Sequence, residues 1–319
     1  MSVLLSLEGA VGQGILWGIM ALGVYITFRL LDFSDLSVDG SFATGGAVSA
    51  VLILNGVNPV LSLIAAMLVG LLCGAATGIL NTLCKIPPIL AGILTQIGLY
   101  SVNLMIMGQS NLPLLKAVTM FNAVSENISL PEAVTAWISV SNIVTIGIGL
   151  LFSALVIGLC YWFFGTELGS AIRATGNNMN MVRANGVSTN TMTIIALMLS
   201  NGLIALSGAL VAQQQGYADV QMGVGAIVMA LASIVIGEVI FGRGGGFLRR
   251  LMSIVVGSII YRMIVSVVLQ LGLDSNNLKL FTALLVAVAL TIPVILDKRK
   301  QTAMYKRLTD VVDSVEDKF

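Results

Sequence analysis

Three aspartates near the start of the chain, Asp32, Asp35 and Asp39, stand in the spacing D-x-x-D-x-x-x-D. Carboxylates spaced this way can hold magnesium and, through it, a diphosphate, because hard cations take oxygen ligands; membrane prenyltransferases use such a pattern. The spacing returns at Asp310, Asp313 and Asp317, beside Glu316 in a charged tail where no cavity inside a membrane could receive a diphosphate. Such an enzyme also needs cations to meet the phosphates, and only Arg29 stands beside the first set. Carboxylates at the start of an apolar segment can instead cap it or pair with Arg29.

Other chemistries are narrowed by what the sequence lacks. It contains no histidine, which removes imidazole metal sites and every histidine-based base or nucleophile-activating arrangement. No G-x-x-x-x-G-K-[ST] occurs, so a P-loop for ATP is excluded. The run Gly242-Arg243-Gly244-Gly245-Gly246 lacks the strand-and-helix context of a phosphate loop. Cys73, Cys84 and Cys160 fall inside or at the ends of apolar runs, as small hydrophobes rather than as a disulfide framework.

Polar groups inside apolar stretches are costly and mark either a solute route or an internal pair. Gln96, Tyr100 and Asn103 recur at i, i+4 and i+7, on one helix face, and can line a passage or bond to a neighbouring helix. Glu238 and Arg262, on consecutive apolar segments, are expected to form a structural ion pair. The stretch Gln213-Gln214-Gln215-Gly216-Tyr217 falls at the mouth of a span, to meet an arriving solute or the protein that delivers it.

The elements that position these residues are membrane helices. Of 319 residues, 57% are hydrophobic and 10% charged, with mean hydropathy +0.99, whereas soluble domains are about a quarter charged. Apolar runs of about 20 residues cross a bilayer as helices with every backbone group bonded internally. Eight are expected at Ala10–Thr27, Leu36–Leu54, Val60–Leu83, Ile89–Met107, Ile143–Phe164, Met192–Ala212, Gly225–Phe241 and Leu251–Leu271, with Leu280–Leu296 a ninth candidate. Leu36–Leu54 is the weakest, because it opens with aspartates and small polar residues. Gly70, Gly74 and Gly78, and likewise Gly14 and Gly18, repeat every four residues and permit close helix approach. The letters show no convincing internal repeat. The net charge of +1 gives no pointer to nucleic acid, and the start of the chain, with Glu8 and no basic residue, does not read as a secretory signal.

Basic residues accumulate on the cytoplasmic side of membrane proteins. With nine spans crossing, Arg29, Lys85, Arg173, Arg183, Arg243, Arg249, Arg250 and the tail cluster from Lys298 to Lys318 share one side, against Lys116 and Lys279 on the other. This predicts an external N-terminus, an external loop over 108–139 containing Pro113 and Pro131, and a cytoplasmic tail over 297–319 behind one permease domain over 1–296. The sequon Asn127-Ile128-Ser129 in that loop reads as accidental.

One inward segment, 165–190, differs from the rest. Gly169 to Asn190 carries two arginines and five asparagines amid apolar helices, and divides into two short helical pieces with Ala171, Ala174 and Met181 at helical spacing. It is either an ordinary connection or a docking element for another protein; alternating small and apolar residues suit the second.

Here the letters resemble a family. Arg173, Ala174, Gly176, Asn178, Gly186 and Val187 match the cytoplasmic coupling segment R-A-x-G-x-N-x-x-A-A-x-x-x-G-I of permeases in the branched-chain amino acid and ribose group of ABC importers, with Met181 and Val182 in place of two alanines. Asp35-Leu36-Ser37-Val38 is similar to that group's I-D-L-S-V-G, Asp39 replacing the glycine, and Gly242–Gly246 resembles its late G-G-R-G loop. The string from Leu31 to Phe42 looks most like the tryptophan and tyrosine permease subgroup.

The resemblance implies an all-α, polytopic, type II ABC importer-like fold with about eight to nine transmembrane helices in the cell's inner membrane. It implies a homodimer in contact with membrane lipid, two ATPase subunits that bind the ATP and magnesium, and an external solute-binding lipoprotein that delivers a small polar solute such as an aromatic amino acid. No cofactor and no catalysis are expected on this chain. Ala171, Arg173, Ala174, Gly176, Asn178, Met181, Arg183 and Gly186 are expected to meet the ATPase. Asp35, Ser37, Asp39, Gln96, Tyr100 and Asn103 are expected along the solute route. The alternatives are an ion-coupled secondary transporter with intramembrane acids and a prenyltransferase using Asp32, Asp35 and Asp39.

Overall fold

A computed structural model describes residues 2–115, 117–127, 139–242, 245–270, 280–284, 286–288 and 291, with side chains from Ser6 onward. The chain divides into a unit over Met1–Gly272 and a second over Leu273–Phe319. Most of the second unit, including about half of the expected ninth span and all of the tail, lies outside the described residues, as do Lys116, Pro131, Arg243, Gly244 and Lys279.

The described residues of the first unit form helices joined by short connections, with one small ribbon. Its helices are α1 (Ser2–Tyr25), α2 (Val38–Leu54), α3 (Pro59–Thr82), α4 (Pro88–Met107), α5 (Met120–Asn127), α6 (Val140–Gly165), α7 (Glu167–Asn177), α8 (Met179–Ala184), α9 (Thr189–Gln215), α10 (Ala226–Phe241) and α11 (Phe247–Gln270). A π-helical turn, Ile26–Leu30, prolongs α1, and Asn111–Pro113 pairs antiparallel with Tyr217–Asp219. Among the described residues six helices are long and apolar enough to cross a membrane; Val38–Leu54 and Ala226–Phe241 are shorter apolar helices.

Packing places α1 and α9 at the centre. Of their most apolar stretches 83% and 78% are buried, against 28% for α4. The outer helices turn apolar side chains outward, such as Leu61, Leu68 and Leu72 on α3 and Leu151, Leu155 and Trp162 on α6. In a chain with span-length helices, such faces suit lipid. The glycine stripes do the close packing expected of them. A Cβ on Gly70 would lie 2.5 Å from the Asn201 carbonyl oxygen, one on Gly74 would meet that of Leu197, and Gly14 faces the Ile259 backbone.

The two poles of the bundle follow from these contacts. Helix α9 runs from the pole that holds Arg29, Lys85, Arg173, Arg183, Arg249 and Arg250, here the arginine end, to the pole that holds the ribbon. Helices α2 and α10 are not full crossings. Asp35, just before α2, bonds to Asn201, the thirteenth of α9's 27 residues, so α2 starts halfway through the bundle and climbs to the ribbon end. Asp39 accepts hydrogen bonds from Gly225 N and Ile227 N, so α10 starts at the same depth and descends to the arginine end. Each is about 25 Å long at 1.5 Å per residue.

This arrangement contains a repeat that the letters conceal. The path α1, re-entrant 31–37, α2, α3 is matched, in the opposite sense, by α9, re-entrant 216–225, α10, α11. Two broken helices thus present their N-termini to each other at mid-depth, as in inverted-repeat transporters.

Candidate functional site

The three aspartates of the opening motif occupy three different environments. Asp32 is exposed, in a left-handed backbone conformation (φ 55°). Asp35 is buried, its Oδ1 accepting from the Ser37 amide (2.8 Å) and hydroxyl (2.6 Å) and its Oδ2 from Asn201 Nδ2 (2.8 Å). The first two contacts form an Asx turn that folds 31–37 back into the bundle. Asp39 holds the first turn of α10 and does not cap its own helix. Three carboxylates so separated cannot share a magnesium ion, and among the described residues no group of three or more acidic, cysteine or histidine side chains could hold a metal. The prenyltransferase reading is therefore set aside.

Arg29 pairs with none of the three aspartates. Its guanidinium donates to Glu238 Oε2 at 2.6 Å. This corrects the expected pairing of Glu238 with Arg262. Gly237 abuts the Ser253 backbone, so Arg262 lies nine residues, or about 14 Å, further along α11. Its guanidinium sits 4.2 Å from the Trp17 ring centroid instead, a cation–π contact that lowers the cost of its burial.

A cavity of about 430 Å³ opens where the two broken helices meet, lined by Asp39, Gly40, Gln96, Tyr100, Ser101, Asn103 and Gln221 with Ile97, Val220 and Val224. The face that Gln96, Tyr100 and Asn103 share on α4 is turned to this space, and Asp39 joins them. Asp35 and Ser37 do not line it; they tie the re-entrant segment to α9. Asn201 was not singled out in the sequence, since an asparagine within an apolar run gives no local sign of its partner. A second cavity of about 400 Å³ at the ribbon end includes Trp17, Asn111, Gln215, Tyr217, Asp219 and Gln221, so Gln221 borders both spaces. Gln213, expected at a mouth, is buried instead: it donates to Ser49, Ser62 and Pro59 O and accepts from Met120 N. It anchors α5 and the adjoining chain over the ribbon end.

The segment 165–190 lies at the opposite pole, and several of its polar residues form its scaffold. Thr166 caps α7 through Gly169 N, and Asn178 Oδ1 caps α8 through Met181 N (3.1 Å). Gly186 ends α8 at φ 80°, a conformation glycine adopts without strain. Arg183 Nε donates to Thr189 Oγ1 (2.8 Å), fixing α8 to the start of α9. Gly176 lies against the carbonyl of Leu30, where any Cβ would collide. Ala171 and Ala174 are half-buried toward the bundle. Among polar neighbours such as Glu167, Asn177, Asn180 and Asn185, the segment exposes Arg173 together with Leu168, Met179 and Met181, the last three 42–52% exposed; Leu168 and Met179 were not expected. The glycine run stands between the expected helices α10 and α11, with a helix rather than a strand before it.

Known proteins carry the same pattern. The sequence model of the family described as branched-chain amino acid transport system / permease component matches residues 6–291. A tyrosine transport system permease protein of Clostridioides difficile (strain R20291) is 40% identical over 274 residues, 86% of each chain. The ribose import permease protein of Escherichia coli (strain K12) is 26% identical, over 89% of this chain and 82% of the relative. The autoinducer 2 import system permease protein of Yersinia pseudotuberculosis (serotype O:3, strain YPIII) is 31% identical, over 76% and 64%. The solved structure of PsaBC from Streptococcus pneumoniae in complex with Fab aligns at TM-score 0.48 and 16% identity over 89% of each chain.

Proposed function

We propose, from the fact that this chain belongs to the family of branched-chain amino acid transport system permease components, that it is the membrane half of an ATP-driven importer of an amino acid with an aromatic side chain. As a permease component of an ABC-type system the chain is a polytopic membrane protein. Import, and an aromatic amino acid as cargo, are supported by the tyrosine permease relative and by a mid-depth cavity that pairs polar groups with apolar walls.

In this reading the permease is a homodimer in the inner membrane, with its arginine end in the cytoplasm. Two ATPase subunits bind the ATP and magnesium and dock at α7 and α8 of each copy. A solute-binding lipoprotein delivers cargo at the ribbon end. The cavity beside Asp39, Gln96, Tyr100 and Asn103 is the waypoint between the poles.

The fold supplies a path for the ATPase's motion. Gly176 of α7 bears on Leu30, its neighbour Arg29 grips Glu238 near the end of α10, and the other end of α10 is held by Asp39 at the cavity. Displacing α7 therefore pushes a rigid rod whose far end borders the solute.

The observation that carries the docking reading is the exposure of Leu168, Met179 and Met181 on a segment whose caps and glycines fix it rigidly. Leu168 and Met181 are each about half exposed at the end of the bundle, so Leu168→Asp and Met181→Asp should leave membrane insertion intact. Interface anchors are worth about 2 kcal/mol or more each, so either variant should lose roughly 30-fold in ATPase copurification, with uptake falling in step. Undiminished copurification and uptake would refute the docking role.

A further inference from the structure

We propose that the mid-depth cavity recognises a protonated amino group, and that Asn103 is the residue that reads it. The proposal rests on the transport reading and adds the chemistry of the cargo.

The first observation is an orphaned acceptor. Asn103 is fully buried and lines the cavity, and its Oδ1 has no hydrogen-bond partner among the described residues. Its Nδ2 is turned to the Gly40 carbonyl at 3.5 Å; reversing the amide would set oxygen against oxygen, so the free end is the acceptor. A buried acceptor without a donor is costly, and a ligand that brings an N–H removes that cost.

The second observation is charge. Among the residues lining the cavity Asp39 carries the one formal charge, and no lysine or arginine faces it. The carboxylate is met by the Gly225, Ala226 and Ile227 amides at the start of α10, which are partial dipoles. The space thus combines a carboxylate with an unpaired acceptor. An ammonium group has three donors, no acceptor and a full positive charge. A neutral sugar lacks that charge, and a carboxylate would add acceptors where acceptors already stand unpaired. Ile97, Val220 and Val224 leave apolar wall for the body of such a ligand.

The test is binding to the full-length permease in lipid nanodiscs, followed by saturation-transfer NMR. The probes are L-tyrosine, tyramine, which keeps the amine and lacks the carboxylate, and 3-(4-hydroxyphenyl)propionate, which lacks the amine. Tyrosine and tyramine should bind and the deaminated acid should not. Asn103→Leu should weaken both amines by roughly tenfold. Asn103→Ser, whose hydroxyl can donate to the Gly40 carbonyl and still accept from a ligand, should retain more of this binding than Asn103→Leu and guards against a folding defect. Equal binding of the deaminated acid, unchanged amine affinity in Asn103→Leu, or no binding of any probe to the wild type would overturn the inference. The ATPase copurification described above does not depend on the ligand, so it shows separately whether the transport reading stands.

Discussion

Asp35 and Asn201 stand 166 positions apart and share a hydrogen bond halfway through the bundle. With the Ser37 amide and hydroxyl, that bond gives a buried carboxylate three donors and no cation. Interhelical hydrogen bonds in membranes contribute only about 0.6 kcal/mol on average, but a buried group left short of a donor costs about 1–3 kcal/mol. Asn201→Ala should therefore lower the unfolding free energy by about 1–3 kcal/mol, while Asn190→Ala, on the exposed side of α9's first turn, should change it little. Thermal unfolding of the two variants in matched detergent measures the difference. Equal stability would mean that the knot does not hold the re-entrant segment. Asp35 and Ser37 were recognisable in the letters as unusual, but their role as a tether was not, because the third member of the knot is distant in sequence.

At the scale of elements, α10 connects the two poles of the mechanism. Its lower end is gripped by Arg29, 209 positions away from Glu238, on a π-helical turn of the kind often found at functional sites. An exposed ion pair contributes little stability, about 0–1 kcal/mol, so its loss should appear in coupling rather than in folding. Arg29→Glu and Glu238→Arg should each reduce uptake several-fold relative to ATP hydrolysis, and the double exchange should restore the ratio. Failure of the double exchange to restore it would show that the residues act separately. Glu238 and Arg262 looked like natural partners only because their helices are consecutive. Gly237 against Ser253 sets the register that parts them, and nothing in local hydropathy reveals that register.

At the scale of the whole molecule, the bundle has a ribbon pole, an arginine pole and a cavity between them. The long spans were legible because each carries its own apolar run, and the glycine stripes because their four-residue period is local. The half-depth starts of α2 and α10 were not, since hydropathy records that a segment is apolar and not where in the membrane it begins. The segment 165–190 was legible as a polar interruption, yet its matched residues Gly176, Asn178 and Gly186, with Arg183, shape the segment, and Leu168, Arg173, Met179 and Met181 stand among its exposed residues. The most direct measurement is site-specific photo-crosslinking from position 181 in native membranes. A product with an ATP-binding subunit, formed at the cytoplasmic face and lost when that subunit is deleted, is the predicted result. A photo-reactive group at that position that reacts only with lipid, or is reached by a membrane-impermeant reagent from outside intact cells, would contradict it.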